Sequence, residues 1–511
     1  MLSEQLALLP GYLTAHLQLT LLALLLSTAI SVPLGIAATR IAWLEQPALA
    51  VAGVIQTVPS LALLAVMVPV LAALDLQSIG FLPAAIGLTL YGILPVLRNT
   101  VTGIAGIDPA LKEAAQGVGM TSRQQLTRVE LPLAMPVIVA GMRTATVWVV
   151  GIATLSTPVG ATSLGNYIFS GLQTRNSVAV LVGCVAAAGL ALLLDGLVRA
   201  IEVSLAARRR GVLVAALTAV AVLYAYAGAT FAAPFLGGRD RPVVVGAKGF
   251  TEQYILSEAM ARWITRQTGR PTRLVQALGS TVTFDALEAG EIDLYADYTG
   301  TVWANIMGRG ADGVIPRRQA VLAEVQGFVE SRDIALTATL GFENTYALAV
   351  RTPDAERMAL ETISDLVPVA PQLSIGSDYE FFIRTEWPAL RDSYGLAFAE
   401  LRTMDPTLMY EAAATGEVDV ISAYSTDGRI TAYDLHLLVD DREAIPPYDT
   451  IILTGSRLAR DAPDVVEAIR QLDGAIDAEA MRAMNREVDQ DGEAPASVAE
   501  AFVERLATGV R

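Results

Sequence analysis

Stretches without a charged residue crowd the first half of the chain and vanish from the second. Uncharged runs occupy 17–39, 46–74, 76–97, 144–174, 176–194 and 211–238. About 20 apolar residues cross the hydrocarbon core of a bilayer. Allowing for loops, the runs predict six spanning helices near 17–39, 48–73, 82–104, 133–155, 176–199 and 211–232. From residue 242 the pattern changes to short apolar runs between mixed segments. PVVVGAK, PTRLVQAL and IDLYADY read as strands, with TEQYILSEAMARWITRQTG and STVTFDALEAG as helices between them. Strands alternating with helices argue for an α/β fold with a mainly parallel sheet. The length suits two lobes, lobe one from 242–345 plus 450–511 and lobe two from about 350–446, with crossovers at ENTYALAV and PYDTIILTG. The expected architecture is multi-domain: an all-α transmembrane domain of about six helices over 1–232, a Pro/Gly linker at 233–241, and an α/β two-lobed domain over 242–511.

Charge follows the same division. Residues 1–241 hold 13 Lys+Arg against 9 Asp+Glu, and residues 242–511 hold 23 against 43. So acidic a second half excludes nucleic acid as a partner, because phosphate contacts need basic patches. Cys184, the only cysteine, lies in an apolar run, and His16 and His436 are too few for most metal constellations, so no metal or other cofactor is expected. Neither lysine, Lys112 or Lys248, follows a glycine as a phosphate-binding loop requires. Any ATP that powers this chain is bound by another polypeptide. Basic residues near span ends face the cytoplasm. Arg40, then Lys112, Arg123 and Arg128, then Arg208, Arg209 and Arg210 all fall on one side when the N-terminus is outside, leaving only Arg175 and the lone acid Asp75 opposite. That orientation delivers residues 240–511 to the outside.

One long segment faces the cytoplasm in this topology, AGIDPALKEAAQGVGMTSRQQLTRVELP at 105–132. It reads as a short amphipathic helix from Pro109 to Gln116, a turn at Gly117 and Gly119, and a second helix. Periodicity alone fits an ordinary solvated loop equally well. Glu113-Ala114-Ala115, then Gly119, then Val129-x-Leu131-Pro132 resemble the EAA loop of bacterial ABC-importer permeases, which docks in a cleft of the ATPase subunit. TVPSLALLAVMVPVL (57–71), LYGILPVLRNTVTGI (90–104) and VELPLAMPVIVAGMRTA (129–145) resemble the permease of quaternary-ammonium importers. Pro59, Pro69, Pro95 and Pro136 interrupt these spans, as is tolerated where backbone lines a cavity. Arg98 and Arg143 are expected to snorkel toward span ends and carry no transport role.

The outer half resembles the periplasmic substrate-binding protein of the same importers. VGAKGFTEQYILSEAM, ALEAGEIDLYADYTGT, FENTYALAVR, YEAAATGEVDVISAYSTDGRI, YDL and PPYDT carry that likeness across 243–455. The resemblance implies a permease fused to a periplasmic-binding-protein-like domain in a bacterial cytoplasmic membrane. It implies a transport component, not an enzyme, working as a homodimer with two copies of a separate ATP-binding subunit. Glycine betaine or proline betaine is the solute expected first, with choline, carnitine and ergothioneine as alternatives. A membrane-anchored solute sensor is the alternative of another class, disfavoured because 105–132 is too small for an output domain. Two departures from the family pattern, Leu278-Gly279-Ser280-Thr281 and Ala296-Asp297, are expected to leave the site untouched.

A trimethylammonium group has diffuse charge and no N–H, so aromatic faces recognise it where hydrogen bonds cannot. By the family pattern Tyr298, Tyr346, Tyr424 and Tyr448 fall at the positions of an aromatic cage. Lys248, Thr301 and Arg384 fall at carboxylate positions, and Asn344 offers a backbone carbonyl to the cation. Glu113, Ala114, Ala115 and Gly119 fall at ATPase-coupling positions. The other tyrosines of the outer half, Tyr254, Tyr295, Tyr379, Tyr394, Tyr410 and Tyr433, are read as packing residues. Asp285, Glu288, Glu291 and Asp293 are read as a solvated acidic face. In a chain with only two lysines, Lys248 between a strand and a helix is itself unusual. Lys248 and Arg384, together with Thr301, are costly to desolvate unless an anion arrives to pair with them, which favours carboxylated betaines over choline.

Overall fold

The uncharged runs of the first half fold into helices. The computed structural model describes residues 2–74, 76–174, 176–236, 241–309, 316–378, 380–384 and 386–509. Expectations for Asp75, Arg175, Tyr379 and residues 237–240 of the linker lie outside them. The chain divides into a helical unit over Leu2–Phe169 and Val178–Arg239 and a second unit centred on Asp240–Arg511.

In the helical unit, α1 (Leu2–Arg40) is followed by α2 (Ala42–Thr57), α3 (Ser60–Ala72) and α4 (Phe81–Ala105). Among the described residues five helices are long and apolar enough to cross a membrane, at 5–40, 81–105, 122–159, 177–206 and 210–233. The span expected at 48–73 is instead a pair, α2 and α3, bent by 100°. Pro59 explains the break: it bars helical backbone from the residue before it, and Val58 is extended, with φ −70° and ψ 129°.

The coupling segment begins with α5 (Pro109–Gly117), where the Asp108 side chain accepts from the Ala110 amide and Pro109 fills the first turn. The chain then reverses at Gly119, whose φ of +79° suits glycine, while the Gly119 and Met120 amides return to the Gln116 and Ala115 carbonyls. A capping box of Thr121 and Gln124 starts α6 (Ser122–Gln125), which continues through a π-helical turn, Leu126–Glu130, into α7 (Leu131–Ala153). Helices α8 (Gly165–Gln173), α9 (Ser177–Ala206) and α10 (Arg210–Leu236) complete the unit. Because α10 runs to Leu236, the first four residues of the expected linker are helical.

Arg143 corrects a second expectation. It stands midway along α7, and its guanidinium meets α9, donating to Asp195 at 2.6 and 3.1 Å and lying 3.7 Å from Glu202. Pairing across helices neutralises the charge where a reach to the span end was expected. Arg40 at the end of α1 pairs with Glu130, which is 0% exposed, and so ties the coupling segment to α1.

The second unit holds two five-stranded sheets. The first contains β1 (Val243–Lys248), β2 (Thr272–Leu278), β3 (Leu294–Tyr298) and β4 (Ile334–Glu343). The second contains β5 (Tyr346–Arg351), β6 (Ser374–Ser377), β7 (Glu400–Thr403), β8 (Val420–Tyr424) and β9 (Leu435–Leu438). Strand β10 (Asp449–Gly455) returns to the first sheet, giving the orders β2-β1-β3-β10-β4 and β7-β6-β8-β5-β9. The sheets are mixed, not mainly parallel. Strand β10 pairs antiparallel with β3 and β4, and β5 pairs antiparallel with β8 and β9. These are the strands that follow a crossover, and the crossover reverses their direction.

Helix α11 (Thr251–Thr268) packs on the first sheet, where Val245, Ile255, Ile264, Leu294, Ile452 and Ile469 form one buried cluster. Each such side chain contributes roughly 1.5–3 kcal/mol on burial. Asp293 belongs to this structure and not to a solvated face: it accepts from the Val244 amide at 2.8 Å and from Arg457 at 2.6 Å.

Candidate functional site

The site forms where the two sheets exchange strands. Adjacent crossovers are laced together: the Asn344 amide donates to the Tyr448 carbonyl at 3.0 Å, and Thr299 Oγ1 donates to the Pro447 carbonyl at 2.9 Å. Tyr298 ends β3, Tyr346 begins β5, Tyr424 ends β8 and Tyr448 directly precedes β10. Strand ends from both lobes therefore deliver the four tyrosines to one place. Tyr346 and Tyr424 face each other across β5 and β8, with ring centres 4.8 Å apart. Tyr448 meets Tyr346 edge-on at 6.2 Å. Gly300 permits this, since a Cβ there would lie 2.6 Å from the Tyr448 ring.

A fifth ring completes the cluster. Phe250 stacks at 6.3 Å on Tyr298 and at 6.5 Å on Tyr424, joining lobe one to lobe two. Motif reading named Lys248 in AKGF and passed over the phenylalanine beside it. The available signal was its position, in the turn between a buried strand and a buried helix.

The cations are placed differently from each other. Arg384 follows a short 3-10 turn, Phe381–Ile383, and its guanidinium lies 5.8 Å from the Tyr346 ring centre. It pairs with Glu380, a residue whose side chain is 55% exposed. Lys248 ends β1, is 3% exposed, and lies 5.3 Å from the Tyr298 ring centre. Its ammonium is bonded to Asp297, which also accepts from the Tyr298 amide at 2.7 Å. The expectation that Ala296-Asp297 leaves the site untouched is thereby overturned: Asp297 is the partner of Lys248. Burial pulls the Lys248 amine below its usual range, against the attraction of Asp297. Thr301 is buried at the first residue of a π-helical turn, Thr301–Ile306.

Glu252, in the first turn of α11, is a residue that sequence reading missed. It is 3% exposed, and four side chains converge on it. Tyr298 Oη donates to Oε1 at 2.6 Å and Asn344 Nδ2 at 3.0 Å, while Thr426 Oγ1 and Asn485 Nδ2 reach Oε2 at 2.6 and 3.2 Å. These donors come from lobe one, lobe two and a crossover. Burial nevertheless pushes the Glu252 carboxyl above the usual carboxylate range. The Asn344 side-chain oxygen is buried without a hydrogen-bond partner, leaving a negative dipole end near the cluster.

Of the tyrosines read as packing residues, Tyr254, Tyr295 and Tyr410 are fully or nearly fully buried, and Tyr394 bonds Asp440 at 2.5 Å. Two of them also support the site: Tyr295 donates to Asp297 at 2.5 Å, and Tyr410 Oη accepts from the Tyr424 amide at 3.2 Å. In the helical unit, Glu113, Ala114 and Gly119 are exposed on the coupling segment beside Leu111 and Val118, whereas Ala115 is buried and faces inward.

Comparison with known proteins adds a separate line of support. Residues 241–505 match the family described as substrate binding domain of ABC-type glycine betaine transport system. Residues 31–207 match binding-protein-dependent transport system inner membrane component. The chain is 30% identical over 471 residues to the ergothioneine transport permease/ergothioneine binding protein EgtU of Helicobacter pylori (strain G27), covering 90% of this chain and 83% of that one. It is 33% identical over 277 residues to the carnitine transport binding protein OpuCC of Listeria monocytogenes serotype 1/2a (strain 10403S), covering 53% and 89%. It is also 41% identical over 180 residues to the glycine betaine/carnitine/choline transport system permease protein OpuCB of Bacillus subtilis (strain 168), covering 35% and 80%.

Proposed function

The chain belongs to the family of ABC-type glycine betaine transport systems, with a substrate-binding domain and an inner-membrane permease on one polypeptide, and on that premise we propose that it imports carboxylated quaternary-ammonium solutes. It is an integral membrane transport component, and ATP hydrolysis in this family belongs to a separate subunit. Glycine betaine and proline betaine are the solutes proposed first.

One observation carries the reading: a guanidinium stands beside a continuous cluster of rings, Tyr298, Phe250, Tyr424, Tyr346 and Tyr448. Aromatic faces attract the ammonium end at about 0.5–2 kcal/mol each, and the planar fork of Arg384 suits the carboxylate. Only the Glu380 side of the Arg384 ion pair is solvent-exposed, at 55% against 13% for Arg384, so Glu380 can turn to water as an incoming carboxylate takes its place on the guanidinium. Lys248 is held by Asp297 and serves mainly to fix Tyr298. The advantage of betaines over choline then rests on one cation, Arg384, and amounts to about 1.5–3 kcal/mol, the range for a hydrogen bond to a charged group. With the lobes together the rings are nearly closed to solvent, so entry requires the lobes to part, and ligand stabilises the closed form through contacts with both.

Ergothioneine, a betaine of histidine, is the second reading. It is favoured by the likeness to EgtU, which extends over 90% of this chain and so across both domains. For either solute, the binding domain faces outside and the chain forms a homodimer with two ATP-binding subunits. Those subunits dock on the exposed surface of Glu113, Ala114 and Gly119. Tethering by the short connector after α10 supplies a local concentration on the order of millimolar. Calorimetric titration of the purified chain in nanodiscs with glycine betaine, proline betaine, ergothioneine and choline tests the proposal. A betaine should bind more tightly than choline, and binding by none of the four overturns the reading.

A further inference from the structure

Three buried acids surround the ring cluster, and recognition of a betaine as described above uses none of them. Tyr298 Oη donates to Glu252 at 2.6 Å, Tyr424 Oη donates to Asp378 at 2.9 Å, and Tyr448 Oη donates to Glu386. The fourth phenol joins the same system. Tyr346 Oη lies 3.1 Å from Tyr424 Oη, and because the Tyr424 proton is committed to Asp378, Tyr346 is the donor between them. At Tyr298 the sense is fixed from the other side, since Gln253 Nε2 donates into its oxygen at 3.1 Å. Every cage tyrosine thus points its hydroxyl proton, directly or through one neighbour, at a carboxylate.

The acids come from three separate elements. Glu252 lies in the first turn of α11, Asp378 follows β6, and Glu386 opens the helix Glu386–Tyr394. They are 3%, 3% and 1% exposed. Carboxylates this deep are costly and persist only with donors. Asp378 also takes the backbone amides of Glu380 and Phe381, at 2.7 and 2.8 Å, which fixes its aim at Tyr424. The two cations near the rings, Lys248 and Arg384, each have an acid of their own, Asp297 and Glu380. Among these described residues, two cations stand beside five acids.

We propose that Glu252, Asp378 and Glu386 are positioning residues that set the cage's affinity for positive charge by holding the hydroxyls of Tyr298, Tyr424 and Tyr448 as donors. A phenol that donates to a carboxylate is polarised toward the phenolate, and linked hydrogen bonds reinforce that polarisation. The ring face becomes more negative and attracts a quaternary ammonium more strongly. The same bonds hold the ring planes. The inference rests on the quaternary-ammonium reading above and adds the groups that enforce it.

A double-mutant cycle on full-length protein in nanodiscs tests the proposal, with glycine betaine as probe. Glu386→Gln and Tyr448→Phe should each weaken binding about three- to tenfold, in keeping with the strength of a single cation–π contact. The double variant should be no weaker than the worse single, because the acid acts through the hydroxyl. Asp378→Asn with Tyr424→Phe should behave alike, and either cycle decides if one variant fails to fold. The carbon isostere 3,3-dimethylbutanoate, measured by displacement, should change less than twofold in the same variants. Additive losses, equal losses for both ligands, or undiminished betaine binding would overturn the proposal. If the unmodified chain binds no quaternary ammonium at all, the functional reading falls, and this inference with it.

Discussion

The helical unit and the binding domain both hold buried acids, and they handle them in opposite ways. In the helical unit, Arg40 pairs with the buried Glu130, and the half-buried Arg143 pairs with Asp195 and Glu202, each cation joining two helices. In the binding domain, Glu252, Asp378 and Glu386 accept from phenols, which neutralise nothing. Desolvation is costly in both places. A neutral pair meets that cost internally and so reads as architecture. Acids that accept phenol protons beside an aromatic cluster leave attraction for an incoming cation, and so read as a site.

The largest effect is expected at the segment proposed to dock the ATP-binding subunit, which is exposed at Glu113, Ala114 and Gly119. Gly119 has φ +79° and open space around it, so Gly119→Arg strains the turn and, on the proposed docking, blocks it. Uptake of labelled betaine in cells carrying the partner ATPase should be abolished, with solute binding by the purified chain unchanged. Normal uptake would remove the segment from the coupling pathway. Next in size is Arg40→Ala, which removes the half-exposed partner of the fully buried Glu130 and should cost about 1–3 kcal/mol of stability. Thermal melts in detergent should show most of that recovered by Arg40→Met with Glu130→Leu, since a neutral architectural pair is replaceable by packed apolar groups.

An effect of similar size sharpens the other side of the comparison. Arg384→Ala should lose about 1.5–3 kcal/mol of betaine binding, the scale of a charged hydrogen bond, and change choline binding little. Equal losses for the two ligands would show that Arg384 supports the fold and not the carboxylate. The smallest expected effect concerns pH. Unfolded, Glu252 ionises near 4.5, and burial raises its folded value. Between those two values the folded chain holds the extra proton, so stability falls as pH rises through that window. Glu252→Gln should flatten that part of the melting profile, and an unchanged slope would show that Glu252 does not set it.

Much of this was legible along the chain. Tyr298, Tyr346, Tyr424 and Tyr448 were named from the family likeness of the short phrases that hold them, and the structure sets them at or beside strand ends. The partners were not legible, because they are distant: Tyr448 and Glu386 are 62 residues apart, and Tyr424 and Asp378 are 46. Lys248 and Asp297 meet because β1 and β3 run parallel with Val245 opposite Leu294 and Gly246 opposite Tyr295, a register that continues to this pair. No local pattern encodes that register. The bent pair α2–α3 was misread for a different reason. Hydropathy counts apolar residues and is blind to direction, so Pro59, noted as an interruption, gave no sign that the chain turns by 100° there.

On the proposed function, the substrate-binding domain recognises positive charge with aromatic rings. Titration of the unmodified chain with glycine betaine and with 3,3-dimethylbutanoate, which places carbon where the betaine has charged nitrogen, tests it most directly. A cage of several rings, each contributing about 0.5–2 kcal/mol to a cation, predicts that the betaine binds at least about tenfold more tightly. Equal affinity for the two would contradict the account.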